Sequence, residues 1–182
     1  MWWIVLAIVV LLAIWLVSSY NKFVKSRNLA EEAFSTMDVY LKKRYDLIPN
    51  FVETVKGYAK HESETLEKVI AARNMAANSA TSEERIKNDN ILSGALKSLF
   101  AVAEAYPELK ANANFAALQN ELSQIEDEIA NSRKYYNGVI KKYNTEIEMF
   151  PSNLAAKLFG FSRKPLYEVS DAAERENVKV QF

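Results

Sequence analysis

The sequence predicts an all-α protein: an N-terminal transmembrane helix that continues into an antiparallel up-and-down four-helix bundle, with an extended C-terminal tail packed along it. Three observations lead there. Residues Trp2 to Val17 form an uninterrupted apolar run of sixteen. No glycine or proline occurs between Trp2 and Ile48, and the whole 182-residue chain holds only four of each. Beyond Lys22, apolar residues recur every three or four positions, the spacing of one helix face. The expected organisation is an anchor over residues 1–20, a bundle over 21–150, and a short helix and tail over 151–182.

The anchor is argued from length and composition. Sixteen residues at a helical rise span roughly 24 Å, and extension to Tyr20 reaches about 29 Å, close to the hydrocarbon thickness of a bilayer. Eleven of the sixteen are Ile, Val or Leu, so insertion is favoured by several kcal/mol on the order of the per-residue insertion scale. Trp2 and Trp3 stand at one end, with Trp15, Val17 and Tyr20 at the other, where interfacial aromatic belts are expected. The rival reading is a signal peptide cleaved near Val17-Ser18-Ser19; the run has no basic segment before it and is long for that purpose. Lys22, Lys25 and Arg27 follow the run. The positive-inside rule then places the bundle in the cytoplasm and the N-terminus outside.

The first bundle helix carries the stripe Phe23, Arg27, Ala30, Phe34, Met37, Leu41 and Ile48. The pattern continues past Pro49, but a single helix to Ala77 would outrun the later helices by length. A turn is therefore expected near Tyr45-Asp46, with Asp46 as the N-cap and Pro49 in the first turn of a second helix, where its missing N–H costs nothing. That helix ends in the cluster Asn78 to Ser82. A third runs from Ser82 through Ile86, Leu92, Leu96, Leu99 and Ala103 to Tyr106-Pro107. The fourth, with Asn114 as candidate cap, has a near-heptad stripe of coiled-coil type from Phe115 to Phe150. Pro151 ends it. The remainder offers a short helix capped by Gly160 and a tail whose Phe159, Phe161, Tyr167 and Phe182 are expected to pack along the bundle.

Composition excludes several functions. Lys plus Arg number 23 and Asp plus Glu 23, so the chain lacks the basic excess of a nucleic-acid binder. The absence of cysteine removes disulfides, thiolate metal sites and a thiol nucleophile. His61 is the only histidine, and zinc centres need three or four ligands. No phosphate-binding glycine loop, nucleophile elbow or HExxH motif is present. No catalytic, metal or cofactor residue is therefore expected.

The polar residues that invite attention are structural. Glu62 and Arg73 fall on the apolar stripe of the second helix, and buried charges need partners. The expectation is an interhelical pairing of Glu62 with Arg44 or Arg133. Tyr136-Asn137 and Tyr143-Asn144 stand two turns apart, so the tyrosines share one face, and Asn137 and Asn144 are free to bond a neighbouring helix, the tail or a partner. Gly57, Gly94 and Gly138 mark either close backbone approaches or exposed faces.

Tyr20-Asn21-Lys22-Phe23-Val24, Arg27-Asn28, Asp38-Val39 and Leu41-Lys42-Lys43-Arg44 also have a collective look. So do Asp46-Leu47-Ile48-Pro49-Asn50, Glu53 to Ala59, His61-Glu62, Tyr106 to Asn112, Asn114-Phe115, the paired Tyr-Asn dipeptides, Phe150-Pro151 and Phe159-Gly160-Phe161. This set, spread over nearly the whole chain, resembles the LemA family of bacterial membrane proteins. Phe34 stands where a tryptophan is common in that family, and Tyr45 where a polar residue is usual. The resemblance implies a single-pass anchor in the bacterial cytoplasmic membrane, a cytoplasmic helical bundle and no enzyme activity. The function expected is a membrane-tethered scaffold or interaction protein, with the lipid bilayer, further copies of itself or other proteins as partners. The alternative is a ligand-sensing or ligand-binding helical module at the membrane, with polar groups near His61, Asn137 and Asn144 lining its cavity.

Overall fold

The computed structural model describes residues 1–168, and every regular element among them is α-helical. The elements are α1 (Trp2–Tyr58), α2 (Ser63–Ala77), α3 (Ser82–Glu104), the single turn α4 (Pro107–Lys110), α5 (Ala113–Glu148) and α6 (Ser152–Leu158). The expected packing of Phe182 lies outside the described residues.

The turn expected at Asp46 and Pro49 is absent: α1 runs through both to Tyr58, and the reversal comes at Ala59–Glu62. The physical reason is local. Proline inside a helix leaves the carbonyl four residues earlier without its N–H donor, and here that carbonyl is Tyr45. Arg73 of α2 supplies the missing donor, its Nε lying 2.9 Å from the Tyr45 oxygen. Its other end reaches Asp46, 3.8 Å away, and Asn74. With the orphaned group satisfied, the helix has no need to stop.

The other helix ends follow ordinary capping chemistry. Thr81 caps α3 by accepting the Glu84 N–H, and the Glu84 carboxylate accepts the Ala80 N–H in return. The cap of α5 is Asn112, whose Oδ1 takes the Phe115 N–H at 3.0 Å, and not Asn114. After α6 the Phe161 N–H bonds to the Ala156 carbonyl and the Gly160 N–H to Lys157. This closure puts Gly160 at φ +72°, in the left-handed region that favours glycine.

The chain forms two compact units, whose boundaries fall inside α1, inside α5 and after Leu166. One comprises Met1–Met37 and Ser132–Leu166. In it, α1 and α5 run antiparallel, with Phe34 edge-on to Tyr136 and Ser26 bonded to Glu146. Phe23, Tyr143, Ile147, Ala155 and Ala156 make its core, with Trp15, Leu16 and Phe161 packed on the edge. The other unit comprises Asp38–Asn131 with Tyr167 and Glu168 among the described residues. Its core includes Leu41, Ile48, Phe51, Val69, Leu92, Leu99 and Leu122. Phe51 of α1 lies between Phe100 of α3 and Phe115 of α5, at ring separations of 5.5 and 5.0 Å.

Candidate functional site

The interior of the second unit is organised by one guanidinium. Arg44 is fully buried, and its donors reach three residues on two other helices. Its Nη2 bonds to Asp89 of α3, also fully buried, while Nη1 lies 2.8 Å from Glu126 of α5 and 3.4 Å from Ser93 of α3. Asp89 also accepts the hydroxyls of Tyr45 and Tyr167. A carboxylate taken out of water needs this many donors, and engaged in this way it holds helices together and is not open to a substrate. Nearby, Arg85 pairs with Asp38 of α1 and bonds to the carbonyl of Ser79, tying down the α2–α3 loop.

Glu62 is therefore not the partner of Arg44. It precedes α2, half-buried, and accepts a hydroxyl bond of 3.5 Å from Tyr106. Arg133 belongs to the other unit and is half-buried there. The stripe of α2 does not reach back to Glu62, because the helical phase breaks at Ala59–Glu62 between α1 and α2. Asp89, which the sequence reading passed over, had a signal. It stands three residues after Ile86 and three before Leu92, on the apolar face of α3.

In the first unit, Tyr136, Tyr143 and Asn144 serve the segment that follows α6. The Tyr143 hydroxyl donates to the Ser162 carbonyl and the Tyr136 hydroxyl to the Pro165 carbonyl, both at 3.0 Å. Buried Asn144 donates its amide N–H to the Lys164 carbonyl and accepts the Lys164 N–H, each at 2.9 Å. Residues 162–165 thereby dock as an extended strap. Asn137 is half-buried on the same helix. Burial pushes the Tyr136 hydroxyl up to about 12 and raises that of Tyr143. Glu146, one turn beyond, accepts the Ser26 hydroxyl at 2.6 Å and lies 3.6 Å from Lys22.

The anchor residues fall into two groups. Trp2, Trp3 and Val17 are exposed, whereas Trp15 is half-buried and Tyr20 meets Phe159 and Phe161 edge-on at 5.0 and 5.9 Å. Arg27, placed on the stripe by its spacing, is exposed with its guanidinium 5.7 Å from the centre of the Phe161 ring. The most apolar stretch of α1 is long and apolar enough to cross a membrane, and none of it is buried.

Other sequence candidates separate. His61 is exposed in the turn after α1. Among the described residues no group of three His, Asp or Glu side chains is placed to hold a metal ion. Gly57, Gly94 and Gly138 have open space where a Cβ would be, so they mark no close approach. A groove of about 690 Å³ opens between α1 and α5 in the second unit, lined by Tyr40, Lys43, Asp46, Leu47, Glu121, Gln124, Ile125 and Glu128. His61 is thus open to solvent, and Asn144 is occupied by the strap.

Comparison with known proteins agrees with the resemblance read from the sequence. The model of the LemA family matches residues 33–182. Protein LemA of Metamycoplasma hominis is 27% identical over 155 residues, covering 83% of this chain and 69% of the relative. Magnetosome protein MamQ 2 of Paramagnetospirillum magneticum is 25% identical over 98% of this chain and 75% of its own. Magnetosome protein MamQ of Magnetospirillum gryphiswaldense is 23% identical, with 92% and 71% covered. None of these names is that of an enzyme.

Proposed function

Because this chain belongs to the LemA family, we propose that it is a membrane-tethered helical scaffold with no reaction of its own. In this reading, residues 2–20 cross the bacterial cytoplasmic membrane. Lys22, Lys25 and Arg27, immediately after the span, favour a cytoplasmic position for all that follows. The single observation that carries the proposal is the exposed apolar stretch of α1 from Trp2 to Ile14, which nothing else covers among the described residues and which water would not tolerate. Reporter fusions test it. A C-terminal reporter that works only in the cytoplasm is expected, and one active only outside the cell would reverse the topology.

The scaffold acts by presenting surfaces to other proteins or to further copies of itself. The groove lined by Lys43, Asp46, Glu121 and Glu128 supports this, since charges of both signs along an open trough suit a polar protein segment better than an apolar small molecule. Photocrosslinkers at Lys43 and Gln124, used in cells, are expected to capture a protein. Mass photometry in mild detergent that found only monomers would remove the self-assembling form of the proposal. The same groove is also the one observation favouring a ligand-binding module, which predicts a saturable shift in thermal stability with a small polar ligand.

A further inference from the structure

The first unit has a second apolar surface, separate from the run at Trp2–Val17. Phe150 is 79% exposed, Leu154 56% and Leu158 67%, with Met149 and Phe159 beside them. Leu154 and Leu158 lie four residues apart on one face of α6, and Phe150 lies four before Leu154 in the preceding turn. The opposite face is spent: Ala155 and Ala156 are buried against Phe23, Tyr143 and Ile147. So α6 is amphipathic with its apolar side turned out, which is the reverse of a helix packed only to shield a core.

Its position says what covers that side. Trp15 and Leu16, both in the apolar run, pack on the core cluster that holds Ala155 and Ala156. Ser19 is buried, and Tyr20 meets Phe159 edge-on at 5.0 Å. From Trp15 to Phe23 is about 12 Å along a helix axis, so α6 lies beside the stretch that begins in the last three residues of the run, Trp15 to Val17, and continues to Phe23. We propose that α6 and the turn before it are a second membrane contact: Phe150, Leu154 and Leu158 enter the interfacial layer of the same bilayer that the N-terminal part of α1 crosses. The proposal rests on the reading of residues 2–20 as a span.

Interfacial helices bury an apolar face about 5–10 Å into the headgroup and acyl boundary while basic residues stay in the headgroups. The basic residues here are Lys157 on α6, exposed, and Lys22, Lys25 and Arg27 on the neighbouring stretch of α1, also exposed. Anionic phospholipid is therefore the matching surface. The unit is then held to the bilayer at two points, the span and the outer face of α6.

The absence of cysteine makes the test direct. Single replacements Leu154→Cys, Leu158→Cys, Leu11→Cys and Val39→Cys, all at exposed positions, are labelled with an environment-sensitive fluorophore. The full chain is placed in nanodiscs of phosphatidylethanolamine and phosphatidylglycerol. Loss of emission is read with a quencher carried on the upper acyl chain and with aqueous iodide. The expected result is a blue shift and lipid quenching at Leu154 and Leu158, as at Leu11, with iodide quenching at Val39. Iodide quenching at Leu154 and Leu158 together with lipid quenching at Leu11 overturns the α6 contact and leaves the span. Failure of lipid quenching at Leu11 removes both. Protection of Leu154 and Leu158 from both quenchers assigns the face to a second copy and also overturns the proposal.

Discussion

Arg44 is a charge with no water, neutralised by one carboxylate that is equally buried and one that is partly exposed. Replacing it with methionine leaves the buried Asp89 without the cation that faces it. The expected loss is about 3–5 kcal/mol, read as a shift in denaturant midpoint in detergent. The double change Arg44→Met with Asp89→Leu is expected to recover part of it, though Tyr45 and Tyr167 then lose their acceptor. Asn144 is the second residue on which much depends. Asn144→Leu removes both bonds to Lys164 and strands two main-chain groups, for about 1–3 kcal/mol. The sign to look for is faster hydrogen exchange at residues 162–166. Tyr136 adds a pH dependence. Its hydroxyl is raised to about 12 by burial, so its contribution is intact below the ordinary tyrosine value near 10 and is lost as pH climbs through 12. Alkaline melts are expected to show this fall between those limits, and Tyr136→Phe to lack it.

Among the elements, α1 teaches most about what a sequence exposes and what it conceals. Helix periodicity made α3 and α5 readable nearly to their ends, because each stripe is continuous and each is closed by proline or a polar cluster. The all-helical class followed from the same signal. The passage of α1 through Pro49 was hidden, since the donor that rescues the Tyr45 carbonyl sits 28 residues away on another helix. Local chemistry at Asp46-Leu47-Ile48-Pro49 is indistinguishable from that of a helix start. The same concealment explains the polar interior: the sequence offers Arg44 as a partner for a buried carboxylate, but not that the carboxylate is Asp89. The rescue can be tested by coupling. Arg73→Met should cost about 1–3 kcal/mol in the natural chain. It should cost measurably less when Pro49→Ala supplies an N–H to the same carbonyl, a non-additivity that a double-mutant cycle of denaturant midpoints reads directly. Equal losses in both backgrounds would mean that Arg73 acts elsewhere.

At the scale of the molecule, the apolar run and the first unit overlap along the chain, because Trp15, Leu16 and Ser19 already belong to packed structure. A three-residue glycine-serine insertion after Asn21 therefore does more than lengthen a tether. It separates Tyr20 from Phe23, moves the Tyr20–Phe159 contact out of register, and is expected to open α6 to proteolysis while the Arg44 cluster stays protected. The docking of the strap carries a different consequence. Tyr136, Tyr143 and Asn144 bond to main-chain atoms of Ser162, Lys164 and Pro165, so these three grip the strap without reading its side chains, while Glu148 at the end of the same helix meets Arg163 at 2.7 Å in an exposed ion pair. Ser162, whose side chain is exposed, is thus free to drift, and a saturation scan should find almost any residue accepted there and only a small loss at Arg163, whose pair with Glu148 is exposed, while Asn144 tolerates almost none.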